Sequence, residues 1–473
     1  MKPFPEIGVL KGNYAPVLAE MDAPDLVVTG DMPEALSGTL YRNGPNPMFP
    51  PLGEKHHWFL GEGMVHGIHV EGGRASYRNR WVHTEQYEAQ RKAGRRLVGT
   101  GFGEPRAPGG EELRNNVANT NIVWHGGKLL ALDEGSSPVA MDPVTLETAG
   151  SWTFEGKYKG AMTAHPKIDP ETGEMLFFAY MADGPGSKTI AYNVVGADGR
   201  VTRSEKFEAP YCTMMHDFIT TDEHVIFPLF PATIDVDRIM QGGPVIAWDP
   251  DTPSMIGIMR RDGAVEDMRW FEGDPCYVYH PMNAYTVREG GHTKVIADVM
   301  KYSRVPLFPD ANGARPPSDL SSEQGLLVRW TFDLDGNTNS YSEEVLSDLR
   351  GEFPRLDERF AGLGYRHGYY ASMARPEAEA ASYDVLVHID LETGKKTEWD
   401  AGAGNTVLEP VFVPRAPGSA EGDGYLVTAI YRRETNLSDF AVFDASDVGA
   451  GPLALAHLPV RIPHGFHGNW RPA

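Results

Sequence analysis

Short runs of β-branched, aromatic and leucine residues recur along the whole chain, each closed by a turn signal: TNIVWHGGKLLALD (120–133), GEMLFFAYM (173–181), EHVIFPLFP (223–231), GLLVRWTFDLDGN (325–337), YDVLVHIDLETGK (383–395) and GDGYLVTAIY (422–431). Runs of this length between glycine, asparagine and aspartate read as strands. Hairpin-type turns sit between them at HGGK (125–128), DPETGE (169–174), ADGR (197–200), DLDGN (333–337) and DLETGK (390–395). Helical periodicity is scarce. The best helical stretch is TEQYEAQRKAGRRL (84–97), strongly polar and broken at Gly94. Segments 101–112, 308–319 and 415–424 read as surface loops, and VPLFP (305–309) as the one conspicuous exposed apolar stretch.

This pattern predicts an all-β fold of many short antiparallel strands. No low-complexity linker divides the chain, so residues 1–473 are expected to form one domain. A β-propeller fits better than a sandwich, which 473 residues would overfill. Seven blades would take about 68 residues each, above the roughly 40–50 of plain propeller repeats, so the blades must carry insertions. No clean repeat sets the blade number. The two terminal segments would have to close the ring together.

Composition narrows the partners. Hydrophobic content of 41% and charged content of 23% suit an ordinary globular core. A net charge of −22 argues against a surface that tracks nucleic-acid phosphates or adheres to anionic lipid. The two cysteines, Cys212 and Cys276, form no C-x-x-C pair and no disulfide framework. The N-terminal stretch has no signal-like apolar run, and no segment approaches a membrane span. The expected location is the cytoplasm, with at most peripheral membrane contact.

Chemistry concentrates in histidine, of which there are 16. The closest pairs are His56 with His57 in KHHW and His66 with His69 in HGIH. On a strand, H-x-x-H places its two side chains on opposite faces, which makes a shared metal hard to grip. Four others share turn-like or proline-bearing surroundings: His165 in GAMTAHPKID, His216 in MMHDF, His280 in YHPMNAY and His467 in GFHGNW. They lie too far apart for one local element. A propeller could still bring one from each of several blades to a common axis. Four neutral imidazoles would suit iron, copper, zinc or nickel and leave two positions open on an octahedral metal. Three glutamates, Glu134 in LDEGSS, Glu352 in GEFPR and Glu409 in VLEPVF, adjoin apolar or turn residues. A buried carboxylate there would be costly unless it accepted the N–H of a ligating imidazole.

Together these segments resemble the carotenoid cleavage oxygenase family. The resemblance runs from LSGTLYRNGPNP (36–47) and HWFLGEGMVHGI (57–68) through AHPK, MHDF, HPMNAY and GEFPR to EPVFVPR and PHGFHGNW (463–470). It implies a seven-bladed β-propeller, with loops and short helices forming a cap over an axial ferrous ion. It further implies that His165, His216, His280 and His467 hold Fe(2+). Glu134 would support His216, Glu352 would support His280, and Glu409 would support His467, while His165 would lack a carboxylate partner. Thr120 matches a residue whose methyl group crowds one open iron position. The implied reaction is cleavage of a conjugated alkene by O₂ to two carbonyl products, without an organic cofactor.

The family's substrates include carotenoids, apocarotenoids and aryl alkenes such as stilbenes. The stilbene-cleaving branch carries a phenol-binding lysine just before the first supporting glutamate, where this chain has Asp133. Leu60 and Glu62 also depart from the usual motif after HWF. The charged 84–97 stretch lacks the apolar face of an interfacial anchor. The expected substrate is therefore a shortened apocarotenoid or other conjugated alkene, with an aryl alkene as the alternative. Among aromatics that could line a tunnel (Phe59, Tyr87, Phe102, Trp152, Phe230), Phe59 and Phe102 are the substrate-binding candidates. The rival functions are a metal-dependent propeller hydrolase, such as a lactonase, and a non-catalytic binding propeller.

Overall fold

In a computed structural model of the chain, residues 3–53, 56–315, 320–374 and 382–473 are described. The last residues of the 308–319 loop lie outside these. The chain divides into two compact units: Met1–Ala164 with Glu377–Val387 and Thr397–Ala473, and His165–Pro376 with His388–Lys396.

The first unit is built from three antiparallel arrays. One orders Met21–Ala23, Arg74–Trp81, Gly63–Glu71, Gly38–Pro45 and Gly468–Pro472. A second orders Val27–Gly30, Pro452–His457, Leu437–Asp444, Gly424–Arg432 and Thr406–Val407, with Val411–Pro414 also paired to Gly424–Arg432. The third is the meander Asn121–His125, Lys128–Leu132, Val139–Met141 and Thr148–Ser151. Early and late segments of the sequence share two of these arrays. Tyr41 pairs with Asn469 in one array, and Val28 pairs with Ala456 in another. Between these two arrays Leu40, Ile68, Val70 and Tyr77 pack with Val427, Phe440, Val442 and Ala456 in one apolar cluster. Alternation supplies that face: Arg74–Trp81 places every second residue inside.

The second unit holds two four-stranded arrays and a long meander. The arrays are Lys167–Ile168, Met175–Ala179, Thr189–Val195 and Val201–Glu208, then Ile219–Thr220, His224–Leu229, Ser254–Arg260 and Arg269–Gly273. The meander runs Tyr277–Glu289, His292–Tyr302, Gly325–Asp333, Ser342–Leu356 and His367–Ser372. Leu176, Phe178, Tyr192, Phe218, Val225 and Phe227 join the two arrays in a common core.

Local chemistry explains the turns. In HGGK, Gly126 and Gly127 take φ of 55° and 72° and close the His125–Lys128 pair. Two consecutive left-handed residues are what a two-residue hairpin turn needs. The helix predicted over 84–97 forms over Glu85–Ala93. Thr84 accepts the amide of Tyr87 at its start, and Gly94 (φ 65°) ends it. One expectation fails: VPLFP is not exposed. Val305 and Phe308 are buried, because the aromatic and branched side chains of this loop turn into the core. Exposed apolar residues are instead scattered, as at Val27, Val144 and Met240.

Candidate metal centre

His165, His216 and His280 come together in the second unit. Each is delivered by an irregular piece of backbone. His165 directly precedes the short strand that opens at Lys167, and His216 lies just before Ile219–Thr220. His280 lies inside Tyr277–Glu289, where the pairing register shifts between Val278 and Pro281 and again before Asn283. Pro281 has no N–H to give the ladder, so a bulge there costs little and turns the histidine out of the sheet's alternation. The Nε2 atoms of His165 and His216 are 3.0 Å apart, and those of His216 and His280 are 3.2 Å apart.

The far side of the His280 ring is fixed. Its Nδ1–H donates to Glu352 Oε2 at 2.6 Å, and because an ionised carboxylate only accepts, the Nε2 lone pair is left directed inward. Glu352, 4% exposed, is itself held: Tyr302 donates its hydroxyl to Oε1 at 3.1 Å, and the Phe353 amide donates to Oε2. The Phe353 backbone lies at φ 55°, in the left-handed region, and its ring stacks on His280 at 5.8 Å. A bulky residue seldom adopts that conformation. It coincides with a register shift between Glu352 and Arg355, which aims the carboxylate at the imidazole.

In the first unit, His467 is arranged by the same logic. Its Nδ1–H donates to Glu409 Oε1 at 2.8 Å, and Gly468 N–H donates to Oε2 at 2.7 Å. Both groups are buried. The backbone around it is pinned: Phe466 N–H reaches Asn43 O at 3.1 Å, and His467 N–H reaches Thr120 O at 3.1 Å. Gly44 makes room for this segment, since a Cβ there would sit 2.7 Å from the Gly465 Cα.

One ligand atom from each of His165, His216, His280 and His467 lies within 4.8 Å of the others, in buried surroundings. Imidazole lone pairs facing one another at 3.0–3.2 Å repel unless a proton or a cation lies among them. Nitrogen ligands at right angles and ~2.1 Å from a metal would be about 3.0 Å apart, so the observed spacing fits a cation with cis histidines. A neutral all-nitrogen donor set is chemically suited to ferrous iron.

The remaining sequence candidates are placed as follows. The Thr120 hydroxyl donates to Asn119 Oδ1 at 3.0 Å, and the Asn119 amide spans the carbonyls of Phe59 and Gly61. Phe59 and Phe102 both make edge contacts with His57, at 4.7 and 4.8 Å, and Phe59 continues into Phe466 at 5.4 Å. Glu134 follows the strand Lys128–Leu132 and is partly buried. Asp133 points elsewhere: its carboxylate accepts the amides of Val117, Ala118 and Gly135 at 3.0, 3.3 and 2.9 Å. His66 and His69 do face opposite ways, with His66 buried on Tyr77 OH at 2.7 Å and His69 exposed beside Thr39. Burial pushes His66 down to about 3, so it stays neutral.

The roles of three buried polar groups escaped the sequence reading. Tyr302 gave no signal, being an aromatic in an ordinary strand. Glu62, noted only as a departure, is buried in a two-bond ion pair with Arg96 at 2.6 and 2.9 Å. Asp217, beside His216 in MHDF, places Oδ2 3.8 Å from His165 Nδ1, so an acid does face the histidine expected to have none.

The family model described as RPE65, retinal pigment epithelial membrane protein, matches residues 14–472. The chain belongs to the RPE65/carotenoid oxygenase family. It is 37% identical over 477 residues to isoeugenol monooxygenase of Pseudomonas nitroreducens, covering 98% of each chain. Among solved structures, the lignostilbene dioxygenase of Pseudomonas brassicacearum superimposes with a TM-score of 0.94 at 36% identity over 100% of both chains. A cobalt-substituted Synechocystis apocarotenoid oxygenase does so with a TM-score of 0.85 at 29% identity over 97% of each. A buried four-histidine site in this family is typical of a non-haem iron centre. No helix among the described residues is long and apolar enough to cross a membrane.

Proposed function

We propose that the chain is a ferrous-iron oxygenase that cleaves the double bond of a conjugated alkene with O₂ to give two carbonyl products. The observation that carries this reading is the convergence of imidazole Nε2 atoms at 3.0–3.2 Å, with a carboxylate fixing the Nδ1 of His280. His165, His216, His280 and His467 are the ligands in this reading. Glu352 and Glu409 orient His280 and His467, and the resemblance assigns Glu134 to His216. Bound there, ferrous iron supplies the site and the electrons for activating O₂. The chain's own groups keep each imidazole in the tautomer that offers Nε2 and hold the rings against rotation. Thr120, its hydroxyl committed to Asn119, narrows one approach to the metal in this reading.

Two substrate classes were expected, apocarotenoids and aryl alkenes. Identity is 36–37% to proteins named for isoeugenol and lignostilbene, 35% to one named a carotenoid cleavage oxygenase and 29% to one named for apocarotenoids, so the choice of an aryl alkene rests on the aromatic wall described next. Phe59, Phe102 and Phe466 form a ring-on-ring wall through His57 that suits a flat conjugated substrate. Asp133 is occupied by backbone amides, so a phenol would not be held there. The single seven-bladed propeller and cap expected over 1–473 belong to this reading, supported by the antiparallel four-stranded arrays. A cytoplasmic location is supported by the unbridged buried Cys212 and Cys276.

The test is iron content with O₂ uptake and product masses on isoeugenol, resveratrol and an apocarotenal. About one iron per chain and two aldehyde or ketone fragments from an aryl alkene are expected. ¹⁸O₂ labelling tells one incorporated oxygen atom from two. Protein that binds no iron when supplied with it, or that cleaves alkenes equally well without it, would refute the reading, and activity confined to the apocarotenal would refute the aryl-alkene choice.

A further inference from the structure

Resting on that reading of the iron site, we infer that Asp217 is the positioning residue for His165, and that Lys167 sets how much of its negative charge reaches the metal. The pair is built from the ligand segments themselves. Lys167 lies two residues beyond His165, and Asp217 adjoins His216. Their ion pair, Nζ to Oδ1 at 2.7 Å, therefore braces one ligand-bearing segment against the other. Those ligands approach to 3.0 Å at their Nε2 atoms.

The two carboxylate oxygens have different tasks. Oδ1 is fixed by the Lys167 ammonium and by the Phe218 amide, which donates at 2.7 Å. The ammonium also lies 5.9 Å from the centre of the Phe218 ring, whose own burial is complete. Oδ2 is turned to His165 Nδ1 at 3.8 Å, too far for a direct hydrogen bond. The coupling is thus coulombic, through a site where Asp217 and His165 are each 6% exposed. Charges so placed act across several ångströms with little screening by water. Glu352 differs in kind: its 2.6 Å contact takes the imidazole proton as a charge-assisted hydrogen bond. Asp217 offers His165 a field only, already reduced by a cation on its other oxygen.

This arrangement fixes a sign. Asp217 favours positive charge at the metal, and Lys167 opposes it. Removing either partner of a merely structural ion pair would loosen the protein in the same direction. Removing them from this device moves the metal in opposite directions.

The experiment uses full-length iron-loaded protein and the variants D217N, K167M and D217E. Fe(II) affinity is measured by anaerobic chelator competition, and the ferric/ferrous midpoint potential by EPR-monitored redox titration. D217N is expected to weaken Fe(II) binding about 3–10-fold, at the low end of an outer-sphere change, and to raise the potential. K167M is expected to tighten Fe(II) binding and lower the potential, although its melting temperature falls. D217E should restore the wild-type direction in part. Shifts of the same sign in D217N and K167M, or none in either, would overturn the inference while wild-type protein still binds one iron. Wild-type protein that binds no iron would instead overturn the site reading on which it rests.

Discussion

Replacing Glu352 with Gln gives the sharpest test of how the centre is built. The carboxylate accepts from three donors: His280 Nδ1–H and Phe353 N–H on Oε2, and Tyr302 O–H on Oε1. Glutamine can reproduce this pattern. Its carbonyl oxygen takes the Oε2 position and still receives His280 and Phe353. Its amide then faces the Tyr302 oxygen, which accepts once the hydroxyl rotates away. Shape and hydrogen bonds survive, and only the negative charge is lost. The expected cost is therefore that of weakening one charge-assisted bond, about 1.4–2.7 kcal/mol, or roughly 10–100-fold in iron affinity. E352A leaves the imidazole N–H without an acceptor and lets the ring turn, so it should lose more than E352Q. H280A should abolish both iron retention and alkene cleavage. Anaerobic chelator competition ranks the variants, with O₂ uptake read in parallel. Iron affinity in E352Q equal to wild type, beside a loss in H280A, would refute a supporting role for the carboxylate.

Other expectations concern stability and assembly. His66 and His464 are held neutral by burial, each pushed from 6.5 down to about 3. The unfolded chain takes up those protons below about pH 6.5, so their contribution is intact above that pH and lost as the pH falls. By pH 5 each should have cost about 2 kcal/mol, and urea titrations at pH 7 and 5 that coincide would contradict this. R96M strands the buried Glu62 charge and should destabilise by about 3–5 kcal/mol, with E62Q added to it recovering part of the melting temperature. G44A drives a methyl group against Gly465, on the loop that carries His467, and should lower iron occupancy. Full occupancy in purified G44A would remove that loop from the site's design.

Much of this was legible because strands and turns announce themselves locally. Each predicted run contains a strand, and HGGK, ADGR and DLETGK are turns in the described residues. The same signal in EGGR (71–74) and EGGH (289–292), where both glycines again take positive φ, was there to be read. The four histidines could be named from their surroundings, and the partners of His280 and His467 from resemblance. What stayed hidden depends on irregular backbone. The proline-bearing surroundings of His280 do not reveal that it occupies a bulge inside a strand, because register shifts arise from pairing with the partner strand. The burial of VPLFP is likewise decided by tertiary packing, since its composition alone reads as exposed. Asp217 was visible beside His216, yet it serves His165, and only the fold reveals which ring an acid faces.

The pairing of the two chain ends has a temporal consequence. Thr29 and His457 are joined across 428 positions, and the final strand, Gly468–Pro472, follows His467 directly. A nascent polypeptide therefore presents His165, His216 and His280 well before His467, the last of the four clustered histidines to be made. Loops of that length close slowly, so the four-histidine cluster is completed late in folding.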